Sequence, residues 1–351
     1  MTLAERALRL VEIPSPIGHE RQIADFVEQW ARGRFPADQV FRHSHSLVVG
    51  DRFDPRPHVA LIGHLDTVPA HGQAPEARIE AGRLHGLGSS DMKGALAVMM
   101  SLAERLKLDR LPVNLLLVFY EREEGPYLDN GLGPLMAQVP ELSKLAFGIA
   151  MEPTDNRVQV GCMGTLHATV SFEGKSAHSA RPWQGKNAIH AAGTLLTELE
   201  ARGRHEVRTD GFAFYEVMTA TLAKGGRARN VVPDAFELNL NYRFSPSKSL
   251  VQAQEDVRAL VAGRASVEFT DLSPSGRVCG GNAYFQKLQK LTALEAESKQ
   301  AWTDVARFSQ AGVDAVNFGP GESAQAHQRD ESAPVAALEQ AHRILTSFFE
   351  S

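Results

Sequence analysis

The run Val113–Tyr120 (VNLLLVFY) constrains the fold more than any other stretch. Its apolar side chains fall on both alternating faces, so neither face of this strand can meet water. Such a strand belongs in the middle of a sheet covered on both sides by helices. The neighbouring sequence supplies both partners. His58–Gly63 and Phe147–Met151 are shorter buried-strand patterns, while Leu3–Val11 and Ile23–Trp30 carry apolar residues at helical spacing. Lys93–Leu106 is an amphipathic stretch of good helix formers. The alternation predicts an α/β fold with an open, mostly parallel sheet and helices on both faces.

The pattern changes after Gly164. Strand patterns over 165–172, 214–222, 235–244 and 266–271 interleave with helices over 187–199 and 250–261. This β-α-β-β-α-β order is that of a ferredoxin-like unit. From about Gly276 the α/β pattern resumes, with helices near 284–294 and 335–349 and a strand near 315–318. The reading is a discontinuous domain of residues 1–163 and 276–351, with 164–275 inserted as a small α+β domain.

Charge and composition remove several function classes. The 37 basic and 42 acidic residues are well mixed and leave a net charge of −5, which gives no basic stripe for nucleic acid. No apolar run approaches the roughly 20 residues that span a bilayer. Cys162 and Cys279 are the only cysteines, too few for a disulfide framework. The first residues lack a charged-then-apolar signal pattern, and a cytoplasmic enzyme is expected.

Chemistry concentrates at five places, each after a strand pattern or in a Gly-rich loop, where open α/β sheets bind ligands. His64-Leu65-Asp66 follows the strand 58–63, and Asp66 is placed to orient a metal-binding His64. Asp91 closes the loop 86–90 ahead of the Lys93 helix; it reads either as an N-cap or as a carboxylate giving one oxygen to each of two ions. Glu121, Glu123 and Glu124 follow the apolar strand, where carboxylates are costly unless paired or metal-bound. Glu152 directly follows 147–151, and His327 follows the Gly-rich 319–323. His43, His45, His58, His71 and His205 read as ordinary surface residues. Two histidines and several carboxylates without cysteine suit Zn²⁺, with Co²⁺ or Mn²⁺ possible.

Taken in order, HLDTVP (64–69), SSDMKGALA (89–97), EREEGP (121–126), EPT (152–154) and GPGESAQAH (319–327) resemble one family. It is the dinuclear zinc metallohydrolases, whose members include aminoacylases, acetylornithine deacetylases, carboxypeptidases and succinyl-diaminopimelate desuccinylases. The resemblance implies His64 and Glu152 on one zinc ion, Glu124 and His327 on the other, and Asp91 between them. It implies Glu123 as general base and Asp66 as orienter of His64. It also implies that the inserted domain is a lid that makes a homodimer, with His178 reaching the partner's site. The segments 228–234, 239–244 and 302–308 look most like the actinobacterial desuccinylases, which makes Asn230, Arg243 and Thr303 substrate contacts, with Arg307 a weaker one. The implied reaction is hydrolysis of a small N-acylated amino acid. A deacylase for another acyl group, a metallopeptidase, or a metal-free binding protein on the same scaffold are the alternatives.

Overall fold

The computed structural model describes residues 1–70, 72 and 75–351; His71 lies outside the described residues. Two compact units emerge. One comprises Met1–Gly161, Arg277–Lys299 and Thr303–Ser351, and the other Cys162–Gly276 with Gln300–Trp302. The divisions fall at 161/162 and 276/277, where the sequence pattern places them at 163/164 and 275/276. Gln300–Trp302 join the second unit, a detail invisible to periodicity.

The first unit is built on an eight-stranded sheet. Its strand order is Val40–His43, Ser46–Val49, Asn114–Tyr120, His58–His64, Phe147–Ala150, Ala315–Asn317, Gln159–Val160, Glu297–Ser298. Every residue of Asn114–Tyr120 is buried, as its two apolar faces require. This strand, His58–His64, Phe147–Ala150 and Ala315–Asn317 run parallel to one another. The hairpin 40–49 and the strand Gln159–Val160 are antiparallel additions. In the parallel register His64 stands opposite Tyr120, Ile62 opposite Ala150, and Ala150 opposite Asn317. The carboxyl ends of four strands therefore lie side by side, and the residues just beyond them share one edge.

Gly63 shows how tightly the covering helix packs. A Cβ there would lie 2.6 Å from Leu96 Cδ2 and 2.9 Å from Met92 Cε, so only glycine lets helix Gly94–Arg105 approach the strand this closely. On the opposite side, the hydroxyl of Tyr120 hydrogen-bonds Asp304, just ahead of helix Val305–Gln310. A small separate sheet pairs Arg83–His85 with Arg78–Glu80 and with Ser332–Pro334, ahead of the last helix, Val335–Glu350.

The second unit has a five-stranded antiparallel sheet ordered His205–Thr209, Phe212–Gly225, Ala235–Phe244, Gly164–Glu173, Ser266–Ser273. Omitting the first strand leaves the ferredoxin-like order. That extra edge strand is the hairpin partner of 212–225, which the sequence pattern does not announce. Leu166, Ala168, Val170 and Phe172 alternate into a core with Leu238, Leu240, Tyr242 and Phe244. The helix expected over 187–199 is two pieces, Ala188–Ala191 and Gly193–Arg202. Among the described residues no helix is long and apolar enough to cross a membrane.

Candidate metal centre

His64 ends its strand with a side chain fully removed from solvent. Its Nδ1 lies 3.0 Å from the main-chain oxygen of Asp66 and 3.6 Å from that residue's carboxylate. The carbonyl accepts a hydrogen bond from the Nδ1–H, the arrangement that turns Nε2 towards an ion. Orientation of His64 thus comes from the Asp66 backbone. The Asp66 carboxylate instead accepts the N–H groups of Glu123 at 3.0 Å and Glu124 at 2.9 Å.

Asp91 does not cap the following helix, whose N-cap position is Lys93. Instead its two oxygens face two histidines. Oδ1 lies 3.0 Å from His64 Nε2, and Oδ2 lies 3.7 Å from His327 Nε2. The peptide Asp91–Met92 is cis. His327 Nε2 also lies 3.0 Å from Glu124 Oε1. His327 itself sits at φ +63° and Arg122, just before Glu123, at φ +60°, a left-handed conformation that surrounding structure must hold.

The three neighbouring glutamates separate by direction. Glu121 turns away and accepts the His45 N–H at 3.1 Å, while its own N–H donates to Ser46 Oγ. Glu124 meets His327. Glu123 is half-buried, and its carboxylate has no hydrogen-bond partner among the described residues. Burial pushes Glu123 well above the usual carboxylate range, helped by the charge of Glu152. Burial likewise raises Glu152 to about 7, with Asp91 adding to it and Lys299 and His64 opposing. Burial works against the charged form of His64, but the Asp91 hydrogen bond and the charges of Asp66 and Asp91 outweigh it, and the imidazole is raised well above its ordinary value. The Glu124 hydrogen bond lifts His327 to about 9.

These residues fit a divalent metal. Ligand atoms of His64, Asp91 and Glu124 all lie within 4.8 Å of one another. Two ligands at about 2.0–2.2 Å from a tetrahedral ion stand roughly 3.3 Å apart, close to the 3.0 Å and 3.7 Å contacts of Asp91. The excess of buried carboxylates over cations is the charge imbalance that dications relieve. Ion binding must also displace protons. His327 at about 9 is charged at pH 7, and Glu152 at about 7 is partly protonated. Titrating metal-free protein at pH 7 in weak buffer is expected to release about one proton or more per chain, with affinity rising as pH rises. A pH-independent isotherm would contradict this.

The other sequence-derived residues have their own settings. His178 and Asn230 lie together in the second unit, where His178 pairs with Val231 and the Ser179 N–H donates to the Asn230 carbonyl at 2.9 Å. Arg243, half-buried on its strand, donates from Nε to Asn241 Oδ1 at 3.3 Å. Thr303 is buried in the first unit. Arg307 is engaged structurally: its Nε lies 2.8 Å from Asp304, its guanidinium stacks on Tyr127, and it donates to the Tyr127 carbonyl. It therefore straps the loop that carries Glu123 and Glu124, and is not free for substrate. Sequence reasoning missed Lys299, 8% exposed, whose charge steadies Asp91 and Glu152, because a lone lysine after a two-residue strand carries no pattern.

A family model described as peptidase family M20/M25/M40 matches residues 60–351. The chain belongs to that family. As an M20 protein it is a hydrolase acting on an amide and uses a metal cofactor. A Corynebacterium glutamicum protein named succinyl-diaminopimelate desuccinylase is 35% identical over 347 residues, covering 97% of this chain and 94% of that one. A Mycobacterium tuberculosis protein provisionally given the same name is 36% identical, covering 98% and 97%. Among solved structures, a Staphylococcus aureus tripeptidase superposes with a TM-score of 0.79 at 20% identity, covering 99% of this chain and 97% of that one. The M20 fold, a largely parallel α/β sheet with an inserted domain, is thus shared well beyond recognisable sequence likeness.

Proposed function

We propose that this protein hydrolyses the amide bond of N-succinyl-LL-2,6-diaminopimelate, giving succinate and LL-2,6-diaminopimelate in the cytoplasm. Likeness to the Corynebacterium desuccinylase across almost both whole chains carries the substrate assignment. Two zinc ions are proposed, with Co²⁺ or Mn²⁺ able to replace them. His64 and Glu152 would hold one, Glu124 and His327 the other, and Asp91 both. When bound, such a pair supplies Lewis acidity to the amide carbonyl and to the attacking water.

The protein's own residues then manage the proton. Glu123, raised by burial, takes a proton from the water and hands it to the departing amine. The Asp66 carboxylate fixes the Glu123 backbone for both transfers. His178, contributed by the second unit of a homodimer partner, stabilises the oxyanion, and Asn230, Arg243 and Thr303 bind the substrate. An Arg fork suits a substrate carboxylate.

Comparing kcat/KM across N-succinyl and N-acetyl derivatives of diaminopimelate and ornithine tests the assignment. The succinyl-diaminopimelate substrate is expected to lead. Preference for an N-acetyl substrate would reassign the enzyme to another deacylase of the family. Mixed dimers of His178→Ala and Glu123→Gln chains, each inactive alone, are expected to regain activity; hybrids that stay inactive would remove the partner histidine.

A further inference from the structure

The turn that presents Asp91 is held from far along the chain. Glu331 is 2% exposed, and its carboxylate accepts three N–H groups from that one turn. Oε2 takes the Gly88 N–H at 2.6 Å, and Oε1 takes those of Ser90 at 2.8 Å and Asp91 at 2.9 Å. Its own carbonyl accepts the Gly86 N–H at 3.1 Å. No cation lies within ion-pair distance of Glu331 among the described residues, so the partners of this buried carboxyl group are backbone donors and not an ion pair. The nearby Lys93 ammonium is committed elsewhere, to the Ile13 carbonyl at 2.6 Å.

Two features tie this contact to the centre. Glu331 lies four residues after His327, and the following strand, Ser332–Pro334, is anchored by pairing with Arg83–His85. The segment that carries His327 therefore also carries the clamp on Asp91. A second stitch joins the same segments, with Ser90 Oγ donating to the Glu322 carbonyl and Glu322 paired with Arg83. Both carboxylate oxygens of Glu331 act as acceptors, which an amide cannot imitate: the NH₂ of a glutamine would confront at least one N–H.

We propose that Glu331 is a positioning residue that preforms the Asp91 turn before any ion arrives, and so sets the affinity of the centre for its ions. The inference rests on the proposed ligand roles of Asp91 and His327. Its test is a Co²⁺ titration of chelator-stripped wild type, Glu331→Gln, Glu331→Asp and Asp91→Ala, read by visible absorption. Glu331→Gln is expected to bind Co²⁺ about 10–100-fold more weakly than wild type, as for other residues that orient metal ligands. Glu331→Asp, which keeps the charge one methylene short, is expected to fall between. Wild-type affinity in a folded Glu331→Gln chain overturns the proposal.

Amide exchange on stripped wild type decides the matter if Glu331→Gln does not fold. The Gly88, Ser90 and Asp91 amides are expected to be protected without Co²⁺; exchange that slows only when Co²⁺ is added overturns preformation. A wild type that binds no pair of ions, or an Asp91→Ala chain that binds as well as wild type, would instead sink the ligand assignment.

Discussion

Replacing Glu123 by glutamine is expected to leave two ions bound and to lower kcat by about 10²–10⁴-fold, the usual worth of a positioned general base. The expectation rests on the different surroundings of the two adjacent glutamates. Glu124 Oε1 stands 3.0 Å from His327 Nε2, so it faces another of the proposed ligands. The Glu123 carboxylate has no hydrogen-bond partner among the described residues, and its backbone is fixed by Asp66. Burial, with the charge of Glu152, pushes its carboxyl well above the usual carboxylate range. The isosteric amide keeps the shape and removes only the proton-accepting oxygen. Metal analysis beside steady-state kinetics separates the two roles. Glu124→Gln should lose metal, whereas Glu123→Gln should lose rate alone, and a loss under tenfold would take the base role from Glu123.

Stripping the ions with a chelator is expected to abolish turnover, and Zn²⁺ or Co²⁺ to restore it. Stability should fall as well. An ion present at 1,000 times its Kd stabilises the native state by about 4 kcal/mol, which chelation removes. The size of the loss depends on pH with a definite sign. His327 is raised from 6.5 to about 9, so without metal its contribution is fully present below pH 6.5 and vanishes as pH rises through 9. Glu152 is raised from 4.5 to about 7, so its forced ionisation destabilises the stripped protein as pH climbs through that interval. Both changes run the same way. The gap in Tm between loaded and stripped protein should therefore widen from pH 6 to pH 9, as scanning fluorimetry can measure. A gap that narrows would show that the carboxylates are balanced by something other than ions.

Much of this site is legible in the sequence because strand ends are legible. A fully apolar run such as 114–120 must be central, and in a parallel sheet the residues just past its last position must lie at the carboxyl edge. His64, Glu121–Glu124 and Glu152 are placed by that argument alone. Direction is less legible. Nothing in the spacing says that Glu121 turns back toward His45, or that the Asp66 carboxylate holds two backbone N–H groups while its carbonyl orients His64. Those outcomes depend on local dihedrals, which the residue types at 64–66 and 121–124 leave open. Contacts between distant segments are not legible at all. Glu331 follows Asp330 just before a short strand, with nothing to mark which of the two acids reaches the Asp91 turn, and nothing near Arg307 in the chain reveals that Tyr127 lies under its guanidinium. The short antiparallel additions, such as the hairpin 40–49, are hidden because four-residue strands carry too little alternation to be distinguished from loops.

The pairing of Arg83–His85 with Ser332–Pro334 has a consequence for biosynthesis. With His327 in the proposed ligand set, a nascent chain cannot complete the centre while residues 327–334 remain inside the ribosome. A chain halted before residue 327 would keep His64, Asp91, Glu124 and Glu152 but would lack both the fifth proposed ligand and the Glu331 carboxylate that holds the Asp91 turn.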